Sequence, residues 1–158
     1  MKELSENWQE VNSVTLQFLK NIPSEQYHSK PFVERFTTFS WEFACLLTTR
    51  EMYINGFKSG KLDGGTSCSL EKEIEELNKE EMLKKIIVTE KVIEQFISDA
   101  KIIEINFFGR KTRKDVVISW LLQHEQLHFG KLLLYCAKSG IAIPTALQEM
   151  WGKESFKK

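Results

Sequence analysis

The sequence predicts an all-α protein, a four-helix bundle with a short C-terminal helix. Two observations carry that expectation. The three prolines and eight glycines fall in clusters that cut the 158-residue chain into long segments. Within those segments, apolar residues return at the spacing of one helical face.

The first helix is expected from Lys2 to Lys20, where Leu4, Trp8, Val11, Thr15, Phe18 and Leu19 recur at that spacing. Asn21, Pro23 and Ser24 end it, and Pro23 and Pro31 bracket a polar connection. A second helix is expected from about Phe32 to Lys58. Phe36, Phe39, Trp41, Phe43, Cys45, Leu46, Leu47, Met52 and Ile54 cover several of its faces, which places it inside a bundle. Asn55-Gly56 marks its frayed end, and Ser59 to Ser69 reads as a glycine-rich loop. Ser69 is then the expected N-cap of a third helix, Leu70 to about Ala100, with Glu71 and Glu73 in the first turn where the helix dipole favours them. Glu/Lys pairs give that helix a solvated first half, and Ile86, Ile87, Val92, Ile93, Phe96 and Ile97 give it a later apolar stripe. The β-branched stretch Lys101 to Phe108 reads as a short extended segment or a tight loop, broken by Gly109. The fourth long helix is expected from Arg113 to Lys138, stopped at Ser139-Gly140, and Pro144 opens a short final helix through about Met150. Without an internal repeat or a low-complexity tract, residues 1–158 read as a single domain.

Composition narrows the function classes. Lys plus Arg and Asp plus Glu both number 22, so the basic excess that phosphate neutralisation demands of a nucleic-acid binder is missing. The one dense basic run, Arg110 to Lys114, reads as a solvated loop. No apolar stretch approaches the ~20 residues of a membrane span. Met1 to Glu6 contains no signal-peptide core, so a cytoplasmic protein is expected. The three cysteines, Cys45, Cys68 and Cys136, are odd in number and widely spaced, which fits free thiols better than a disulfide framework.

Chemistry concentrates on two of the three histidines. His124 and His128 stand four apart on one expected helix, about 40° apart around its axis, so both imidazoles can face one point. That spacing suits chelation of a metal. Val117, Trp120, Leu121 and Tyr135 follow the same stripe, which turns the pair inward. Two histidines hydrogen-bonded to side chains, or facing a groove, would produce the same spacing. His124-Glu125-Gln126-Leu127-His128 also matches the zinc-peptidase pattern H-E-x-x-H, with Glu149 downstream as a third ligand to be sought. Gly140 and Pro144 interrupt the route to Glu149, no substrate-binding sheet is evident upstream, and Lys131 stands where the longer variant requires glycine. The peptidase is therefore a remote alternative.

The setting of the pair resembles a known family. Leu121 to Leu132 is similar to the last long helix of the DinB/YfiT-like proteins, in which an H-x-x-x-H pair precedes a small or basic dipeptide and a leucine. Gly140-Ile141-Ala142-Ile143-Pro144 resembles that family's G-x-x-x-P exit, and Phe39 to Leu46 looks like its second helix. The resemblance spans nearly the whole chain and implies a metal site of three histidines, one from the second helix and two from the fourth. His124 and His128 match the pair. The position of the first histidine holds Cys45, or Ala44 if the alignment slips by one. A cysteine there is a departure: as thiolate it is a good zinc ligand, and as a free thiol it simply packs.

The resemblance further implies a divalent metal, zinc or nickel, and a metal-dependent S-transferase using a low-molecular-weight thiol and a small-molecule substrate, or a hydrolase. Glu125, about 100° round from His124, is at best a partner of a ligand. The alternative is a non-catalytic bundle with a degraded metal site that binds a small ligand or a partner protein. A homodimer is expected from the family; DNA binding is not, given the charge balance. Of the remaining candidates, His28 is expected to be exposed, Cys68 a bystander and Cys136 a packing residue. Trp41, Trp120 and Trp151 are expected in the core or an interface, and Arg50 is expected to pair with Glu51.

Overall fold

The computed structural model describes residues 2–152; residue 1 and residues 153–158 of the expected domain lie outside them. Among the described residues the chain is mostly helical, with six α-helices and three short strands. The helices are α1 (Lys2–Asn21), α2 (Phe39–Ser59), α3 (Glu71–Glu75), α4 (Lys79–Ser98), α5 (Lys114–Ser139) and α6 (Thr145–Trp151). The strands are β1 (Lys61–Leu62), β2 (Glu104–Phe107) and β3 (Arg110–Arg113). No helix among these residues is long and apolar enough to cross a membrane.

Helix α2 starts seven residues later than the apolar pattern suggests, at Phe39 instead of Phe32. Thr38 caps it by accepting the Trp41 amide at 3.0 Å, and Phe36 sits at φ 65, which no right-handed helix contains. Residues 29–38 form a loop closed at its neck by Phe39 N–H donating to Ser29 O and Ser40 N–H donating to Tyr27 O. At the other end α2 does not fray at Asn55-Gly56 but runs on to Ser59. Gly56 is there because β1 passes close: a Cβ on it would lie 2.7 Å from Leu62 Cβ.

The expected third helix is two. The short α3 stops at Glu75, and Asn78 opens α4 with a capping box, its side chain accepting the Glu81 amide while the Glu81 carboxylate accepts the Asn78 amide. Ser69 does not cap; Leu70 holds that position with no side-chain bond. The basic run is likewise not a loop. Arg110–Arg113 pairs antiparallel with Glu104–Phe107 around a two-residue turn, Phe108 (φ 47) and Gly109 (φ 84), whose positive angles match the twist of a hairpin. β1 joins β2 in parallel, completing a three-stranded sheet.

Helix α2 packs on α4 and α5, and α1 packs on α4, α5 and α6. Two lysines close helix ends by donating to orphan carbonyls: Lys79 to Lys20 O and Ile22 O, and Lys114 to Phe96 O, Ile97 O and Asp99 O. The core forms two apolar clusters. One holds Phe18, Phe43, Leu47, Ile86, Phe129 and Tyr135; the other holds Trp8, Tyr53, Phe57, Ile93, Val117 and Leu121. Along every long helix the clusters follow one another. α1 and α5 run from the second cluster to the first, and α2 and α4 run the opposite way. Between the clusters lies a buried polar layer of Asn12, Thr15, Arg50 and Glu125.

Candidate metal centre

Helix α2 presents Glu42, Cys45 and Thr49 on one face, because spacings of three and four residues return to the same side. Helix α5 presents His124, His128, Lys131 and Tyr135 by the same rule. Packing of α2 on α5 brings the two rows together. Cys45 Sγ lies 3.8 Å from His124 Nε2, and the two histidine Nε2 atoms are 3.3 Å apart. The three donor atoms all fall within 4.8 Å of one another. His128 is buried, while Cys45 and His124 are half-buried, so the cluster opens to one side.

Behind the donors sits a residue that sequence reasoning missed. Glu42 is 1% exposed, and its Oε2 lies 2.6 Å from His128 Nδ1. Lys131 donates to the same oxygen at 3.2 Å, while Tyr135 and Thr37 donate to Oε1 at 3.0 and 2.8 Å. A carboxylate at Nδ1 keeps a proton there, so that in the neutral ring Nε2 is the nitrogen that faces the cluster with a free lone pair. The available signal was an acid three residues before Cys45, alone in the apolar run Phe39 to Leu47.

Burial alone would raise the Cys45 thiol. Hydrogen bonds from His124 and then His128 overcome it and bring the thiol down to about 6. Burial would lower His128, yet the Cys45 and Glu42 hydrogen bonds hold it at about 9. Burial likewise opposes ionisation of Glu42, which His128 and Thr37 nonetheless bring down to about 2. Without an ion the cluster is therefore a thiolate and an imidazolium backed by a carboxylate.

The same donors fit a divalent metal. Two bonds of ~2.05 Å to imidazole nitrogen at a tetrahedral angle set the nitrogens about 3.3 Å apart, and a ~2.3 Å bond to thiolate widens a nitrogen–sulfur edge to about 3.6 Å. The observed separations are 3.3 and 3.8 Å.

The other candidate residues fall partly as expected. Cys45, not Ala44, faces the histidines; Ala44 is buried in the apolar core. His28 and Cys68 are exposed and Cys136 is buried, as their sequence settings suggest. Of the tryptophans expected in the core or an interface, Trp41 is half-buried, while Trp120 on the outward stripe of α5 and Trp151 at the end of α6 are exposed, at 37% and 61%. The tryptophan in the core is Trp8. Arg50 pairs with Glu125 instead of Glu51, which accepts the Ser69 amide. With both carboxylate oxygens engaged by Arg50 and Thr15 inside the core, Glu125 touches neither histidine and cannot serve as the base of an H-E-x-x-H peptidase.

The fold and the cluster define a helical protein in which a thiol and two imidazoles from facing helices share one opening. The chain belongs to the DinB family, whose model matches residues 1–153. A solved DinB-like protein from Bacillus cereus ATCC 10987 has a similar fold, with a TM-score of 0.70 over 91% of this chain and 95% of that one, at 14% identity. No curated protein matches the chain.

Proposed function

We propose that this chain is a single-domain four-helix bundle of α1, α2, α4 and α5 that holds a divalent metal, zinc in preference to nickel, through Cys45, His124 and His128. The observation that carries the reading is the convergence of those three donor atoms within 4.8 Å, with one histidine oriented by a buried carboxylate. A thiolate with two imidazoles is a donor set suited to zinc. The reaction proposed is attack of a low-molecular-weight thiolate on an electrophilic carbon of a small molecule. The new C–S bond replaces the bond to a leaving group that departs with its electron pair, with hydrolysis as the variant in which water is the nucleophile.

When bound, the metal supplies a Lewis acid that favours the deprotonated form of an incoming thiol at neutral pH. The chain's own residues do the rest. Glu42 holds the His128 proton on Nδ1, and Lys131 offsets the Glu42 charge from the half-exposed side. A dication, the Cys45 thiolate, the Glu42 carboxylate and the Lys131 ammonium leave one positive charge, which favours an anionic partner such as a thiolate. Thr49 Oγ1, 3.5 Å from His124 Nε2, offers a hydroxyl at the opening.

A homodimer finds support in the outward stripe of α5, where Val116, Trp120, Leu127 and Leu134 are exposed on one face. Gly130, between the last two, has open space where a side chain would stand. A cytoplasmic location without nucleic-acid or membrane partners is proposed on the balance of 22 basic and 22 acidic residues.

A second reading, a non-catalytic bundle, is favoured by one observation: Cys45, His128 and Glu42 satisfy one another without an ion. Elemental analysis of the purified protein separates the two. Stoichiometric zinc or nickel that disappears in Cys45→Ala and His124→Ala supports the metal protein. A metal-free chain whose stability ignores added zinc and nickel supports the second reading.

A further inference from the structure

The polar layer between the two apolar clusters belongs to no donor set, yet it joins the helices that carry the donors. Arg50 of α2 grips Glu125 of α5 with a two-point fork, Nε to Oε1 at 2.7 Å and Nη2 to Oε2 at 2.9 Å. Both side chains have no solvent exposure. The remaining valences are filled from the other two long helices. Asn12 Oδ1 of α1 accepts Nη1 at 2.9 Å, and Thr15 of α1 donates to Glu125 Oε2 at 2.8 Å. The Ile86 carbonyl of α4 accepts Nη1 at 3.5 Å, and the Trp8 ring lies 4.8 Å beneath the guanidinium.

Stability does not account for such a pair. The desolvation of two buried charges about cancels their attraction, and well-packed apolar replacements are often neutral or stabilising. What a fork-to-carboxylate contact adds is position, because it tolerates only a few tenths of an ångström of sliding, whereas leucine and phenylalanine packing on either side is non-directional. Position is what the neighbouring cluster needs. Glu125 lies between His124 and His128 on α5, and Arg50 lies little more than one turn beyond Cys45 on α2. A slip of α2 along α5 by a single residue, about 1.5 Å, exceeds the ~0.2 Å tolerance of a metal–ligand bond many times over.

We infer that Arg50 and Glu125 are positioning residues, a register lock that holds Cys45 opposite His124 and His128. The inference rests on the metal-site reading above. Its test is a cobalt(II) titration, with cobalt as a spectroscopic stand-in for zinc, of the full chain, of Arg50→Lys and of the double variant Arg50→Met/Glu125→Leu. The double variant is expected to fold with a thermal midpoint at or above that of the parent. It should bind cobalt about 10- to 100-fold more weakly, with loss of the thiolate-to-cobalt absorption band. Arg50→Lys keeps the charge but not the fork, so it should weaken the band without unfolding the chain. A folded double variant with parental affinity and band overturns the lock; should that variant not fold, Arg50→Lys decides on the same two readouts. A parent chain that takes up no cobalt sinks the metal reading alone. The lock is then judged without metal, on the downfield proton resonance of His128 Nδ1–H bound to Glu42. That resonance is expected in the parent and lost in Arg50→Lys, and its persistence there overturns the lock.

Discussion

Replacing Glu42 by glutamine tests the electrostatics of the site where they are strongest. The substitution keeps the shape but turns one acceptor oxygen into a donor, facing either His128 and Lys131 or Tyr135 and Thr37, which already donate. Against burial, the Cys45 and Glu42 contacts raise His128 from 6.5 to about 9, a differential of about 3 kcal/mol shared between the two partners. Glu42 therefore accounts for about 1–2 kcal/mol of metal-free stability through the charged form of His128, to which a misplaced amide donor adds about 1 kcal/mol. The window follows from both partners. The raised His128 contributes fully below its unfolded value of 6.5 and ceases to contribute as pH rises through about 9. The lowered Glu42 contributes above 4.5 and ceases to contribute as pH falls through about 2. The assay is urea unfolding of parent and Glu42→Gln with chelator present, at pH 5.5, 7.5 and 9.5. The expected penalty is about 2–3 kcal/mol at pH 5.5, shrinking toward pH 9.5. A penalty under about 0.5 kcal/mol, or one that does not change with pH, refutes the account.

Cysteine reactivity should divide by environment. In the metal-free protein, iodoacetamide should modify Cys45 with a midpoint near pH 6, and added zinc should block it. Cys136, which burial pushes up to about 12, should react only on unfolding; equal rates for the two would contradict the site's geometry. Gly56→Ala should lower stability by about 1–3 kcal/mol in thermal denaturation, because the new methyl meets Leu62 at 2.7 Å, and an unchanged melting temperature would show that β1 moves freely. Leu127→Glu with Leu134→Glu should convert a dimer to a monomer in light scattering without changing the helical circular dichroism signal, and a monomeric parent would remove the α5 face as an interface.

The helices were legible because apolar periodicity and capping are local. Residues such as Phe18, Phe43 and Leu132 must lie on one side of a helix whatever lies opposite. The breaks were harder. The aromatic pattern through Phe32 and Phe36 imitates the start of α2, and only a left-handed Phe36 and the Thr38 cap delay it. The hairpin of β2 and β3 was hidden because a short exposed strand rich in Arg and Lys carries almost no apolar alternation.

From the residues alone, His124 and His128 had to face one way, since spacing around a helix is a property of its backbone. Which sulfur meets them, which acid stands behind them and which acid turns away were decided by how α2 lies against α5. Cys45 and Ala44 differ by one position, and Glu42 and Glu125 are both acids within the helices that carry the cluster. One holds His128 and the other holds Arg50 because their helices cross in a single register, and contacts between residues 75 to 86 positions apart leave no periodic trace in the chain.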